Sequence, residues 1–108
     1  MKLFVDTSTV TFTVTQMAQE KLDEKGRQKA DRITGEPLHV AQFLALDSRD
    51  DRGGELLKVT VAGQPPKLTM GQAVTPAELE AMPWATNGRS GVAYRAKSIT
   101  PAQGAKAA

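Results

Sequence analysis

Cysteine is absent from the 108 residues and histidine occurs once. The first absence excludes a disulfide framework, a thiolate nucleophile and a Cys-ligated zinc or iron–sulfur site. The second leaves His39 as the sole candidate histidine base and excludes a multi-histidine metal site. Aromatic rings are scarce: Phe4, Phe12, Phe43, Trp84 and Tyr94 make up 5% of the chain. No apolar run approaches the roughly 18 residues of a membrane span. Leu3-Phe4-Val5 is followed at once by Asp6, so no signal peptide is expected and the expected compartment is the cytoplasm. Catalytic sets are missing too. His39 has no Ser or Cys partner motif, the carboxylates do not cluster for catalysis, and there is no Walker-type Gly-Lys-Ser/Thr. Asp47, Asp50, Asp51 and Glu55 lack the ligand spacing of a calcium loop, and Arg49 and Arg52 intervene. No enzyme activity, metal, cofactor or small-molecule substrate is expected. A small binding module is the leading class.

What is present is unevenly charged. The net charge is +2. Residues 1–55 hold eight Lys/Arg against ten Asp/Glu, and residues 56–108 hold six against two. The basic C-terminal half suits a polyanion such as nucleic acid.

Residues 9–15 alternate Val10, Phe12 and Val14 with threonines, which is the pattern of a strand with one buried face. Residues 20–36 are polar and carry only Leu22 and Ile33 as large apolar residues. This predicts an exposed hairpin arm turning at Asp23 to Gly26. A second strand is expected over 38–46, with both faces partly covered, as in a barrel or a dimer. Asp47 to Gly54 reads as a hairpin loop, and Leu56 to Ala62 as a third strand. Residues 71–84 carry conflicting signals. Thr75-Pro76-Ala77-Glu78 is a helix-start box, yet Pro83 limits any helix to two turns and proline is tolerated on an edge strand. A strand is expected through tertiary override of the local preference. Asn87-Gly88 marks a turn, and Val92 to Ile99 a last strand. The expected fold is all-β: one small five-stranded barrel of the oligonucleotide/oligosaccharide-binding (OB) type over 1–100, with a long polar arm, and a disordered tail over 101–108.

Across residues 35–101, about 60% of the chain, a series of short motifs falls in one order. Gly35-Glu36-Pro37 opens a strand that closes in Asp47, and a hairpin leads to Lys58-Val59-Thr60. Gly71-x-x-Val74 leads to Leu79, Pro83-Trp84, Gly88-Arg89-Ser90-Gly91-Val92 and Tyr94-Arg95-Ala96, and the run ends at Ile99-x-Pro101. This layout resembles the small OB-fold single-stranded DNA-binding proteins of filamentous phages. It is similar in particular to those carried by actinobacterial plasmids and integrative elements. The resemblance implies a homodimer that coats single strands without sequence preference during replication or transfer of a mobile element.

Such binding needs cations along the phosphates and exposed rings that stack on bases. Arg95 and Lys97, two residues apart on one predicted strand, would form a two-charge rail that Lys58 extends. Arg89, at a glycine-bounded turn, could clamp a phosphate. Arg27, Lys29 and Arg32 lie on the arm, where it could close over a bound strand. Trp84, Tyr94 and Phe43 are the candidate stacking rings, each weighed against a place in or over the core. Phe4 and Phe12 are expected in the core, and His39 is expected half-exposed. The alternative is a β-barrel module that docks on a replication or transfer protein.

Overall fold

The structure is a computed structural model that describes residues 3–49, 53–64 and 67–102. The Thr-Val-Thr-Phe alternation forms the first half of β2 (Val10–Glu20), which buries Phe12 and Val14. A two-residue strand, β1 (Leu3–Phe4), precedes it. After the arm come β3 (Leu38–Asp47), β4 (Glu55–Ala62), β5 (Ala73–Ala77), β6 (Glu80–Thr86), β7 (Arg89–Arg95) and β8 (Ser98–Pro101). Among the described residues there is no helix.

All eight strands belong to one sheet, in the order β1-β6-β7-β4-β3-β2-β5-β8. All neighbours are antiparallel except β4 and β7, which run parallel with Val59 beside Tyr94 and Thr60 beside Arg95. β5 and β6 lie far apart in that order, yet only Glu78 and Leu79 join them. The three Cα–Cα steps from Ala77 to Glu80 span at most about 11 Å, so the sheet must curl until its distant parts meet. Glu78 makes the bend with a left-handed φ of 50°. That conformation costs a non-glycine residue about 1–2 kcal/mol. Leu79, 2% exposed, drops into the core and offsets the cost by a similar amount.

The core is the concave side of this curl: Phe12, Val14, Ala41, Phe43, Ala45, Leu57, Val59, Val61, Val74, Leu79, Ala96 and Ile99. The concave side does not take the bulkier parity of every strand. On β3 it takes the parity holding Ala41, Phe43 and Ala45, and leaves the bulkier Leu38, Val40, Leu44 and Leu46 more exposed. Phe43 is fully buried and meets Phe12 edge-to-face, with ring centroids 6.4 Å apart.

Several expectations change. Five strands become eight: the fourth and fifth predicted strands each break in two, and β1 is added at the start. The helix-start box stays extended as far as Ala77: Thr75 and Pro76 pair with Thr100 and Ile99 of β8. Pro76 and Pro83 both sit where one side of the strand has no ladder, so their missing N–H groups cost nothing. Phe4 is 70% exposed, since β1 touches only the β6 edge and Leu79 takes the core position. His39 is buried beneath Gln28 of the arm, whose Nε2 lies 3.2 Å from His39 Nε2 and donates to the Leu38 carbonyl. Pro101 is the last residue of β8, paired with Val74. The rest of the predicted tail, and the loop tip at 50–52, lie outside the described residues.

Phe43→Ala should destabilise the protein by about 3–5 kcal/mol, because the curled interior cannot collapse onto the void. Urea unfolding followed by far-UV circular dichroism measures this, and a loss below 1 kcal/mol would contradict the assigned core.

Candidate functional site

With Phe12, Phe43 and Val59 facing inward, the other parity of β2, β3 and β4 forms an outer face. Lys58 stands there beside Gln42, exposed. Thr60 shares that parity but is 7% exposed, because the arm lies over it and Lys21 Nζ donates to its Oγ1 at 3.0 Å. Register carries the outer face into the β6–β7 hairpin. Arg95 lies beside Thr60 and opposite Glu80. Two residues on, Met82 faces Ala93, and two further, Trp84 faces Gly91. Phe4 stands beside Glu80 on β1, on the same side. The only two exposed aromatic rings among the described residues, Phe4 and Trp84, thus share one face with Met82 between them.

Trp84 is 45% exposed, and its other flank rests on Gly91. A Cβ at residue 91 would lie 2.8 Å from Trp84 Cζ2, so only glycine admits the indole at this distance. The hairpin ends in Asn87 and Gly88, with φ of 52° and 77°. Positive φ at both central residues suits the twist of a tight hairpin and holds Arg89 exposed at its tip.

The arm is built on its own hydrogen bonds. Asp23 Oδ1 accepts from the amides of Lys25 and Arg27, and the Gly26 amide donates to the Asp23 carbonyl. Arg27 pairs with Asp23 at 3.6 Å, largely in solvent. The Lys29 amide donates to the Lys21 carbonyl, and the Leu38 amide to that of Lys29, which ties the arm to the start of β3. The next turn is organised by Asp31, whose Oδ1 accepts from the Ile33 and Thr34 amides. Its Oδ2 makes an ion pair with the Arg95 guanidinium across the fold. These contacts hold the Asp31 carboxyl at a pKa of about 2, Arg95 first and the two amides after it. Lys21 is half-buried, and its pKa is lowered by lost hydration, then by the charges of Lys29 and Arg95.

The structure divides the sequence-predicted site residues. Lys58, Trp84 and Arg89 lie on or beside the outer face and are exposed. Lys29 and Arg32 are exposed on the arm, and no carboxylate lies within ion-pair distance of Lys29, Arg32, Lys58 or Arg89 among the described residues. Phe43 is corrected outright: a fully buried ring reaches neither a ligand nor a dimer partner. Tyr94 turns to the inner side, where it lines an open, mainly apolar cavity of about 520 Å³ with Phe12, Leu57 and Leu79, and with Asp47 and Glu55 on its border. Burial there raises its hydroxyl pKa. The Arg95–Lys97 rail is also broken. β7 ends at Arg95; the Ala96 amide donates to Thr60 and the Lys97 amide to Ala77, so the chain changes neighbours between the two cations. Lys97 pairs with Glu78 at 3.5 Å, and both cations border a hollow with Glu36, Glu78 and Glu80.

Lys21, Asp31, Met82 and Phe4 join the site without having been predicted. The sequence carries no local signal for the first three, since each is placed by the arm's path or by hairpin register.

Two measurements test this geometry. Gly91→Ala should expel the indole from its seat, shifting Trp84 emission to the red and raising acrylamide quenching. Unchanged emission would mean that the ring does not rest there. The depressed Asp31 pKa means its contribution to stability is complete above the ordinary value of 3.8 and is lost as pH falls through about 2. Arg95→Gln should raise the Asp31 titration midpoint toward 3.8, read by carboxyl NMR.

Comparison with known proteins adds no relative to this geometry: no family model, no curated protein and no solved structure matches the chain.

Proposed function

We propose that this protein binds single-stranded DNA without sequence preference on an OB-like barrel. It acts in the cytoplasm as a homodimer that coats strands during replication or transfer of a mobile element. The observation that carries the reading is the outer face. A half-exposed indole seated on Gly91, with Met82 and Phe4 on the same side, lies beside cations that no carboxylate neutralises among the described residues. Bases stack on a ring in any sequence because every base has a π face, and exposed cations track phosphates irrespective of sequence. Lys58 and Arg89 supply charge from the sheet and the hairpin tip; Lys29 and Arg32 supply it from the arm, with Arg27 beside them paired to Asp23.

The strand order supports the barrel. Taken as single bent strands, and with the two-residue β1 set aside, β5–β6 and β7–β8 reduce the sheet to five segments: β2, β3, β4, the bent fourth and the bent fifth. The first pairs with the second and fourth, and the third runs parallel to the fifth, which pairs with the fourth. This order agrees with an OB barrel, which binds its ligands on the face of the second and third strands, between the loop joining strands 1 and 2 and the loop joining strands 4 and 5. The arm and the Asn87-Gly88 tip stand in those two loop positions.

A second reading has its own support. Leu44 and Leu56 are paired across β3 and β4, and Leu46 follows on the same parity; Leu56 is 59% and Leu46 40% exposed. An apolar patch of this kind favours docking on a replication or transfer protein.

Titration with an oligo(dT) strand at low salt should quench Trp84 fluorescence. The affinity should fall with salt at a log–log slope of about −0.7 per phosphate contact. Trp84→Ala should cost about 1–3 kcal/mol of binding. Duplex held as tightly as single strand would remove the claim of strandedness. Partner capture that survives high salt, with no oligonucleotide shift, would favour docking.

A further inference from the structure

The arm meets the outer face at a cluster of like charges. Lys21 Nζ spends one hydrogen bond on Thr60 Oγ1 and has no carboxylate partner among the described residues. Lys29 lies on the adjoining rung, its amide bonded to the Lys21 carbonyl at 2.7 Å. Arg95 stands beside Thr60 in the β4–β7 register. Three cations converge there, and one carboxylate, Asp31, answers only Arg95. Glu36, Glu78 and Glu80 border the adjoining hollow with Lys97, but none pairs with Lys21, Lys29 or Arg95 within ion-pair distance. Half-buried Lys21 therefore lacks a counter-ion in a place where water screens it poorly, as its lowered pKa also reflects.

We propose that Lys21, Lys29 and Arg95 form a phosphate subsite of the strand-binding face, and that Asp31 is its resident anion, displaced from Arg95 when a phosphate of the bound strand arrives. This rests on the single-strand reading above. Asp31 divides its work between two oxygens: Oδ1 organises the arm's turn through Ile33 and Thr34, and Oδ2 holds Arg95. Only the second contact has to be surrendered, so the turn survives the exchange. The Arg95 side chain is 37% exposed and that of Asp31 8%, so a phosphate reaches the guanidinium from its open side while the carboxylate keeps the Ile33 and Thr34 amides. A phosphodiester offers Arg95 two oxygens and gives Lys21 the counter-ion it lacks. Asp31 thus competes with the ligand and couples binding to release of the arm.

The test compares wild type, Asp31→Asn and Lys21→Gln by oligo(dT) titration across a salt series. Asn keeps an oxygen for the Ile33 and Thr34 amides, and circular dichroism verifies that both variants fold. Asp31→Asn should bind roughly three- to tenfold more tightly at low salt. Lys21→Gln should bind more weakly, with a log–log salt slope shallower by about 0.7. If wild type binds while Asp31→Asn binds no better, or Lys21→Gln leaves the slope unchanged, the subsite is overturned and the single-strand reading stands. If wild type binds no strand, that reading falls. Inorganic phosphate followed by amide NMR then decides the subsite: shifts at Lys21, Ile33 and Thr34 support it, and their absence overturns it.

Discussion

A two-residue connection sets the form of this protein. Glu78 and Leu79 carry the chain from β5, beside β2, to β6, beside β7, five places away in the sheet order. The sheet has to roll for that step to be possible. Rolling gives it a concave side, and that side holds the core: alanines at 41 and 45 around one phenylalanine at 43, with Leu79 closing from the bend. The same roll leaves Leu44, Leu46, Leu56 and Lys58 on the convex side, where a ligand or partner can reach them.

The convex side is then edited by the protein's own charges. Arg95 is held by Asp31 and Lys97 by Glu78, while Lys58 and Arg89 have no such partner among the described residues. A count of basic residues therefore overstates what a polyanion meets on arrival. The small excess over the C-terminal half becomes effective only where ion pairing leaves a cation uncommitted. The ring census is revised in the same way. Of five aromatics, Phe12 and Phe43 are spent on the core and Tyr94 on an apolar cavity, which leaves Trp84 and Phe4 facing out.

Much of the fold was legible locally. The threonine-valine alternation of β2, the turn at Asp23 to Gly26 and the Asn87-Gly88 hairpin depend on neighbours two to four residues away, which a sequence displays directly. The course of 71–84 was legible only against its local signal: Thr75-Pro76-Ala77-Glu78 favours a helix start, and pairing with β8 keeps it extended. The parity of β3 misled the assignment of Phe43. Larger side chains ordinarily mark the buried face, and this curl reverses the rule. The Arg95–Lys97 rail failed because i, i+2 spacing guarantees a shared face only while the strand continues, and β7 stops at Arg95.

By itself the sequence determined an all-β domain without cysteine chemistry, with a polar arm, a tight hairpin and its positive excess in the second half. These follow from composition and from periods of two residues. The tertiary structure alone decided which parity is inside, that Thr60 is covered by the arm, that Trp84 sits on Gly91, and that Lys21, Lys29, Arg95 and Asp31 meet. Each of those depends on residues brought together by the roll of the sheet, and Asp31 and Arg95 are separated by 64 positions along the chain. Local chemistry fixes how a segment can run; the roll of the sheet fixes which of its faces is left for a ligand.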